Sequence, residues 1–528
     1  MNELAKIALV GTSKYAGPLP ATEHLAVALG GLEDEDRERS LLLRCGANAV
    51  YRLAGQRAIA GIEPTVPAPP ETKRTASPGV SRLLQDAVTT GGNNLLIDLL
   101  RQMEARSIVL PPALLPLLLD SKDASVRRSL IPVLGERGAW LCRQNPDWSF
   151  FHPKADPQAR VDLDELKHIW DEGLIDQRIV ALAVLRRHDP LSARDWVAQV
   201  WAKEKAPVRV RLVESLETGL CRDDEVFLES CLNDRSSAVA QSAARLLCRL
   251  PQSALAGRMR ARAAAILGIE RTGLIYKAIK LVCTPPQQID RDWERDGILK
   301  QAPPGVGERA FWTERVLAAV PPSHWQSQFG LGPQQLMGAV ADEPFAEPIV
   351  AGWSEAAVSF AASDPASADW LMPLWTHLAQ GFGALKDADR PSALMKMQAL
   401  LAAMTRDAAE AAIANLIHLP AGWNDVDVLN CVTALRPPWS AHYSAAVLAA
   451  ARRRIQSRAS EAAYRWANML ATNACEIHVD AFPLALVPWE MATAEERVSW
   501  FAANIESDLN KFVTTIEMRT RFMSELNA

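Results

Sequence analysis

The sequence predicts an all-α protein, an irregular HEAT-like α-solenoid with two related helical lobes and a long C-terminal helix. Alanine and leucine, both strong helix formers, are abundant along the chain. Three helical segments end on Leu185, Leu216 and Leu247, which are spaced 31 residues apart. No clear alternation of polar and apolar residues indicates a strand, apart from a possible extended piece at 478–487.

Each of the three aligned segments carries one apolar stripe. In the second segment Val208, Leu212, Val213 and Leu216 follow helical spacing and lie on one face. A helix pair with a single stripe cannot bury that stripe alone, so neighbouring pairs must stack. Because the step is shorter than a typical HEAT unit, we expect an irregular, HEAT-like solenoid.

A longer-range similarity indicates two related lobes. DPLSARDWVAQVW at 189–201 and DPASADWLMPLW at 364–375 share Asp-Pro, Ser-Ala, Asp-Trp and a second tryptophan five residues after the first. Farther along, VAQSAARLLCRLP at 239–251 resembles AAEAAIANLIHLP at 408–420. The two matches occur at similar offsets, which favours duplication of a helical array.

The remaining segments complete the predicted organisation. Five prolines in 63–81 and few large apolar residues are typical of a surface linker. Thr493 and Glu496 form a capping-box pattern at the start of a final helix over 493–526. The predicted divisions are an N-terminal helical unit, a Pro-rich linker, two HEAT-like lobes and a C-terminal cap: 1–62, 63–81, 82–300, 301–473 and 474–528.

Composition excludes several classes of protein. The 528 residues include 57 basic and 62 acidic ones, for a net charge of −5, with 49% hydrophobic and 23% charged residues. These values do not fit a wholly disordered chain, a collagen-like fibre or a polybasic coat protein. Eight scattered cysteines without a CxxC pair, a short apolar run at the N-terminus and no long apolar stretch predict a reduced, cytoplasmic protein.

No recognisable catalytic motif is present. GTSKYAGP at 11–18 lacks the Lys-Ser/Thr pair of a phosphate-binding loop, and GVGERA at 305–310 lacks a strand before it. The nine histidines include no HExxH pattern, and no GxSxG sequence occurs. We therefore expect no enzymatic activity of the isolated protein, no catalytic residue, no cofactor and no metal. The sequence does not decide whether the fold brings catalytic residues together from distant parts of the chain.

Charge is distributed unevenly near the middle of the chain. Between Arg245 and Lys280 eight basic residues face only Glu270, whereas 305–369 carries a local balance of −6. The predicted partner-binding residues are Arg245, Arg249, Arg258, Arg260, Arg262, Lys277, Lys280 and Trp293. We expect a protein partner to dock across the connector at 284–305, steered by charge and anchored by exposed apolar or tryptophan side chains.

Two alternatives remain at this point. The basic and acidic segments could satisfy each other within the molecule and bind nothing. A nucleic-acid-binding HEAT-like protein, resembling DNA glycosylases, would instead use the same basic residues as one continuous concave stripe. Dispersal of the charges over outer helices favours a scaffold.

Several segments carry a family resemblance. ALVGTSK at 8–14, LCRQNPDW at 141–148, and DRSSAV and LPQSALAGRM within 234–259 resemble a bacterial helical-repeat family of unknown function. Genes of that family commonly neighbour those for MoxR-type AAA ATPases and von Willebrand factor A-domain proteins. The resemblance implies a non-catalytic scaffold or adaptor working beside such an ATPase, and it supplies no functional residues.

Overall fold

A computed structural model gives the fold of the chain. It describes residues 3–20, 23–30, 36–54, 66–145, 147–148, 163–272, 278–418, 420–435, 437–457, 460–490 and 500–528. Helices account for most of these residues, and the predicted all-α solenoid is confirmed. The chain divides into two compact units, Met1–Ala68 (unit 1) and Pro69–Ala528 (unit 2).

The described residues of unit 1 include three α-helices: α1 (Glu3–Val10), α2 (Ala26–Leu29) and α3 (Arg37–Ala54). Its hydrophobic core is small, because only a few apolar side chains of the described residues are buried together. The core consists of Leu4, Ile7, Leu19 and Leu41.

Unit 2 begins with five helices and one short parallel strand pair. In chain order these elements are β1 (Arg74–Thr75), α4 (Pro78–Asp86), α5 (Gly92–Glu104), β2 (Ile108–Val109), α6 (Leu115–Leu119), α7 (Ala124–Leu130) and α8 (Gly135–Gln144). We call them together the closing bundle. Ser77 begins α4 by accepting a hydrogen bond from the backbone of Val80, and Pro78 occupies the first helical position.

The next seven helices contain the 31-residue steps. They are α9 (Leu163–Glu172), α10 (Ile175–His188), α11 (Pro190–Val200), α12 (Ala206–Ser215), α13 (Glu225–Cys231), α14 (Ser237–Cys248) and α15 (Ala254–Ile266). Leu185, Leu216 and Leu247 are all buried. Helices α10, α12 and α14 pack side by side, as the repeat step predicts.

The middle of unit 2 starts with a hairpin and continues with helices. The elements are β3 (Leu267–Thr272), β4 (Ala278–Cys283), α16 (Arg291–Arg295), α17 (Glu308–Ala318), α18 (Ser323–Phe329), α19 (Pro333–Val340), α20 (Ala346–Phe360), α21 (Pro365–Ala368) and α22 (Leu371–Phe382). Strands β3 and β4 are antiparallel, with Glu270 opposite Lys280.

Seven further helices complete the chain. They are α23 (Arg390–Ala403), α24 (Arg406–Ala414), α25 (Asp425–Val432), α26 (Ala441–Ser457), α27 (Glu461–Thr472), α28 (Phe482–Ala485) and α29 (Trp500–Asn527). The predicted capping box at Thr493 and Glu496 lies outside the described residues. Ile505, Phe512 and Ile516 of α29 are buried.

One row of packed helices runs through unit 2. Helix α17 packs on α20, and the row then continues through α23, α25 and α27 to α29. From α14 the row passes to α17 through α15. A continuous hydrophobic core extends along this row from Trp170 to Ile516.

The closing bundle packs on the C-terminal end of this row. Its core residues, from Val80 to Cys142, share one cluster with Cys475, Phe522 and Leu526. The hydrophobic cores therefore group residues 80–142 with the C-terminal helix rather than with the rest of the predicted first lobe.

A buried ion pair joins the closing bundle to α29. Arg519 Nε donates to Asp98 Oδ2 at 2.7 Å, and a second nitrogen of Arg519 donates to the carbonyls of Ala474 and Ile477 at 2.8 Å. Both charged side chains are almost completely buried. A pair buried this deeply leaves an uncompensated charge when one partner is removed, so it holds the two segments together specifically.

Two expectations about strands were wrong. The piece at 478–487 is helical: a turn at Val479–Ala481 leads into α28, and the His478 ring accepts a hydrogen bond from the backbone of Asp480. The hairpin of β3 and β4 was not predicted. Its alternation is short, since Leu267 and Leu281 are buried while Glu270 and Lys280 are exposed.

Candidate functional site

An open groove lies where α12 and α14 face α17 and α20. Its volume is about 570 Å³, and the connector from Asp296 to Pro303 forms part of its lining. Apolar groups, including Ile298, Phe311 and Phe360, contribute to the surface. We call this site the junction groove, because it lies at the predicted junction between the two lobes.

Gly297 fixes the path of the connector. Its φ of 92° is in the region that favours glycine, and a Cβ at this position would lie 2.8 Å from the Cβ of Ala244 on α14. The connector therefore passes in close contact with α14. This contact places Ile298 and Leu299 in the groove.

Arginine–glutamate pairs stand on both walls of the junction groove. On the wall formed by α12 and α14, Arg245 lies 3.3 Å from Glu214, and Arg249 pairs with Glu217. On the opposite wall Arg315 pairs with Glu355. Each of these side chains keeps between a fifth and about half of its surface exposed. The groove therefore offers both signs of charge.

A buried carboxylate anchors the arginines behind the groove. Asp296 accepts from Arg258 at 2.8 and 2.9 Å, and Arg262 and Arg295 approach it to 2.8 and 3.1 Å. Burial by itself raises the pKa of Asp296, but hydrogen bonds from Arg258 and Arg295 together with the charges of Arg262 and Arg258 outweigh it and hold the pKa below the ordinary 3.8. The carboxylate stays ionised and fixes these arginines.

The structure separates the eight predicted partner-binding residues. Arg245 and Arg249 line the junction groove, whereas Arg258 and Arg262 turn toward Asp296. The other four occupy different places. Arg260 is half-buried outside the groove lining, Lys280 is exposed on β4, Lys277 lies outside the described residues, and Trp293 is half-buried.

Trp293 differs from the exposed anchor that the sequence suggested. Its ring packs against the hydrophobic core, with the guanidinium of Arg262 4.9 Å from the ring centroid. A cation over an aromatic face stabilises both side chains in place. The apolar anchor available in the groove is instead Leu299, which is 43% exposed.

The arginines of the basic stretch at 245–280 do not pair with the acidic segment at 305–369, as one alternative from the sequence suggested. Their partners among the described residues are Glu214, Glu217, Glu229 and Asp296, and none comes from 305–369. Glu214 and Arg245 are 31 residues apart, so one repeat step brings them together. The repeat spacing in the sequence is therefore sufficient to predict this pair.

Other groove residues had no sequence signal. Arg315, Glu355 and Phe311 belong to helices far along the chain from α12 and reach the groove only through the stacking of α15 on α17. Sequence reasoning placed Arg315 and Glu355 in an acidic segment and did not connect them to Arg245.

Cys248, the cysteine in the lining of the groove, is a buried thiol. Burial raises the pKa of the Cys248 thiol to about 12, so this cysteine is not a thiolate near neutral pH. Within the described ranges no group of three or more His, Cys, Asp or Glu side chains could hold a metal ion. Nor does any helix in those ranges combine the length and apolar character needed to cross a membrane.

Comparison with known proteins places the whole chain in one family. The model of a family of unknown function matches residues 3–526. The chain belongs to the family DUF5691. This match confirms the resemblance to a family of unknown function, and it covers both units of the chain.

Neither further comparison informs the activity of this DUF5691 member. A search of curated proteins finds no match. A solved structure titled "Circular tandem repeat protein with novel repeat topology and enhanced subunit contact surfaces" matches at 12% sequence identity, covering 85% of this chain and 77% of that chain, with a TM-score of 0.14. A TM-score this low supports no argument about fold or function.

Proposed function

We propose that the protein is a non-catalytic scaffold or adaptor that holds a segment of a protein partner in the junction groove. The observation that carries this proposal is the groove itself, an open cleft with apolar side chains between two walls of arginine–glutamate pairs. Protein interfaces combine a buried apolar centre with a polar rim, and arginine is favoured among the contacting residues.

The ion pairs on the walls suit exchange with a partner. A partly exposed pair such as Arg245 and Glu214 contributes at most about 1 kcal/mol, so a partner carboxylate can replace Glu214 at little cost. Arg249 and Arg315 present further donors from the two walls. Apolar contacts with the exposed Leu299 and the half-buried Phe311 would supply most of the affinity.

The mixed charge of the groove argues for a protein rather than a nucleic acid. A phosphate backbone is attracted by many unpaired cations, because binding depends on the release of counterions. Here Arg245, Arg249 and Arg315 all have glutamate partners. Arg258 and Arg262 are engaged by Asp296, so the basic stretch forms no continuous cationic stripe along the described groove.

The family suggests where to look for the partner. MoxR-type AAA ATPases and von Willebrand factor A-domain proteins are the candidates that the family resemblance implies. We propose a cytoplasmic adaptor within such a system, with no cofactor of its own and no role for a membrane.

Binding measurements with purified proteins test this proposal. The probes are the MoxR-type ATPase and the von Willebrand A-domain protein encoded in the same genome, and the variant is Arg245→Glu combined with Arg249→Glu. We expect the variant to weaken binding at least about tenfold, corresponding to about 1.4 kcal/mol. Isothermal titration calorimetry measures the affinity, and circular dichroism confirms that the variant keeps its helices.

A matched control separates a local effect from a general change of charge. Arg465→Glu alters an arginine of similar exposure, which pairs with Glu461 on its own helix α27 and lies outside the groove. We expect this variant to bind like the parent. Equal binding by parent and double variant contradicts docking in the junction groove, and no binding of either probe contradicts the proposed partners.

A further inference from the structure

The connector from Asp296 to Pro303 carries the exposed apolar residue of the junction groove, and it belongs to no helix or strand. Helix α16 ends at Arg295, and α17 begins at Glu308. Leu299 is 43% exposed in the groove, whereas Ile298 directly before it is 3% exposed. Because no regular backbone hydrogen bonding fixes this segment, the position of Leu299 depends on the contacts that hold the connector on either side.

The first point of attachment is the carboxylate of Asp296. Its side chain has no exposed surface and is approached by two arginines from α15 and one from α16: Arg258, Arg262 and Arg295. Arg258 also lies 3.2 Å from Glu229 on α13. The start of the connector is therefore tied to α15 and, through Arg258, to α13.

Two contacts of the backbone complete the attachment. The amide of Ile298 donates to the carbonyl of Trp293 at 3.0 Å. The indole Nε1 of the buried Trp312 on α17 donates to the carbonyl of Lys300 at 3.1 Å. Leu299 thus lies between two anchored residues, and its side chain is exposed in the groove.

We propose that Asp296 is a positioning residue for the junction groove: it holds the connector so that Leu299 is presented to an apolar side chain of the partner segment. The inference rests on the proposed function. A loop that is already fixed in its binding conformation loses little conformational entropy on binding, and this raises the affinity. Asp296 is buried, so it acts through Leu299 rather than by contact with the partner.

The charges around Asp296 are the reason that it controls the connector. In Asp296→Asn three arginines face a neutral amide, and among the described residues the pair of Arg258 with Glu229 is the ion pair that remains to them. The arginines then repel one another at short range. The connector loses its first attachment and keeps the second, the bond from Trp312 to Lys300.

A second buried pair in unit 2 provides a matched control. Asp224 accepts from two nitrogens of Arg186 at 2.7 and 2.9 Å, and neither side chain has exposed surface. The two residues are 38 positions apart, as are Arg258 and Asp296. Neither Arg186 nor Asp224 belongs to the groove lining. Asp224→Asn therefore breaks a comparable pair without changing a contact of the connector.

Amide hydrogen exchange of the free full chain tests the positioning. We expect Asp296→Asn to speed exchange in the peptide covering 297–303 at least about tenfold, because the Ile298 amide is no longer held against its acceptor. Asp224→Asn should leave exchange in this peptide as it is in the parent. Unchanged exchange in Asp296→Asn overturns the proposal.

A milder variant covers the case in which Asp296→Asn does not fold. Arg262→Met removes one of the three arginines at Asp296 and keeps the length of the apolar stem. We expect faster exchange in the same peptide, by a smaller factor than for Asp296→Asn. Circular dichroism shows whether each variant keeps its helices. A folded Arg262→Met with parental exchange in 297–303 overturns the proposal.

Isothermal titration calorimetry measures the consequence for binding, with the MoxR-type ATPase and the von Willebrand A-domain protein as probes. We expect Asp296→Asn and Leu299→Ala each to weaken binding at least about tenfold. Asp224→Asn should bind like the parent. Faster exchange with unchanged affinity overturns the positioning role, and equal weakening by Asp224→Asn assigns the effect to a general loss of stability and also overturns it.

Failure of the proposed function gives a different result. If neither probe binds the parent, the proposed partners are wrong. Exchange in the free chain then decides the inference by itself: faster exchange of 297–303 in Asp296→Asn supports positioning of the connector, and parental exchange overturns it.

Discussion

Unit 1 and unit 2 use their apolar residues in opposite ways. Unit 2 buries them in a core that extends from Trp170 to Ile516, and the closing bundle covers its C-terminal end. Among the described residues of unit 1, four form the buried core and nine large apolar side chains are exposed. In unit 2 each helix of the row has a neighbour for its stripe, whereas in the described part of unit 1 the apolar residues Leu42, Val50 and Leu53 of α3 (the α3 stripe) are exposed.

This difference separates two kinds of surface. The junction groove has polar walls whose charges are already paired, so a partner must replace existing contacts. The α3 stripe has an apolar surface without such pairs. We therefore expect binding in the junction groove to be selective for partners with complementary charges.

The largest effect should come from the ion pair that closes unit 2. Arg519→Ala leaves Asp98 buried without its partner and should lower the free energy of unfolding by about 3–5 kcal/mol. Arg44→Ala in unit 1 removes only long hydrogen bonds and should cost no more than about 1 kcal/mol. Urea denaturation followed by circular dichroism measures both. Equal losses in the free energy of unfolding for the two variants would contradict the view that unit 2 is held by buried contacts and unit 1 is not.

A pair of leucine truncations should show the same contrast. Leu247→Ala creates a cavity in the core and should cost about 2–5 kcal/mol. Leu42→Ala removes an exposed side chain of α3 and should change the free energy of unfolding by less than about 0.5 kcal/mol in a dilute sample. Thermal denaturation at low protein concentration provides the measurement. A large loss for Leu42→Ala would show that the chain itself covers the stripe.

Asp296 should make the junction region sensitive to acid. Because its folded-state pKa lies below the unfolded value, the unfolded chain binds more protons, and the stabilisation is present above pH 3.8 and lost as pH falls through the folded pKa. Asp296→Asn should lower the free energy of unfolding by about 1.5–3 kcal/mol at neutral pH. Denaturation curves at a series of pH values give the free energy of unfolding of parent and variant. The two values should become equal once the pH is below the folded-state pKa of Asp296. A difference in the free energy of unfolding that is the same at every pH would exclude the Asp296 carboxylate as the cause of the acid sensitivity.

The smallest effect should come from removing unit 1. A chain that starts at Pro69 keeps both cores of unit 2 and should melt within about 1 °C of the full chain at low concentration. Differential scanning calorimetry compares the two proteins. A drop of several degrees would show that unit 2 depends on unit 1.

The helical architecture could be predicted because its signal is local. The 31-residue step placed Leu185, Leu216 and Leu247 on stacked helices, and all three are buried. The hairpin of β3 and β4 escaped because six-residue strands give too few alternations to stand out among basic residues. The contact of Asp98 with Arg519 spans 421 residues, and no repeat pattern relates the two positions.

The candidate site was predicted only in part, because some of its contacts join residues that no local pattern in the sequence relates. Arg245 and Arg249 were identified from charge clustering, and both line the groove. The sequence could not show that Arg258 and Arg262 pair with the buried Asp296, since i, i+4 spacing fixes a shared helix face but not what that face contacts. It also could not show which side of α3 is buried, because that depends on α1 and α2.

Amide hydrogen exchange of the full chain, with and without the saturating MoxR-type ATPase or von Willebrand A-domain protein, tests the central claim most directly. We expect slower exchange in peptides covering α14, the connector at 296–303 and α17, and no change in α26 or α27. The Arg245→Glu and Arg249→Glu double variant should lose this protection. Protection confined to other helices, or no change with either protein, would contradict docking of these partners in the junction groove.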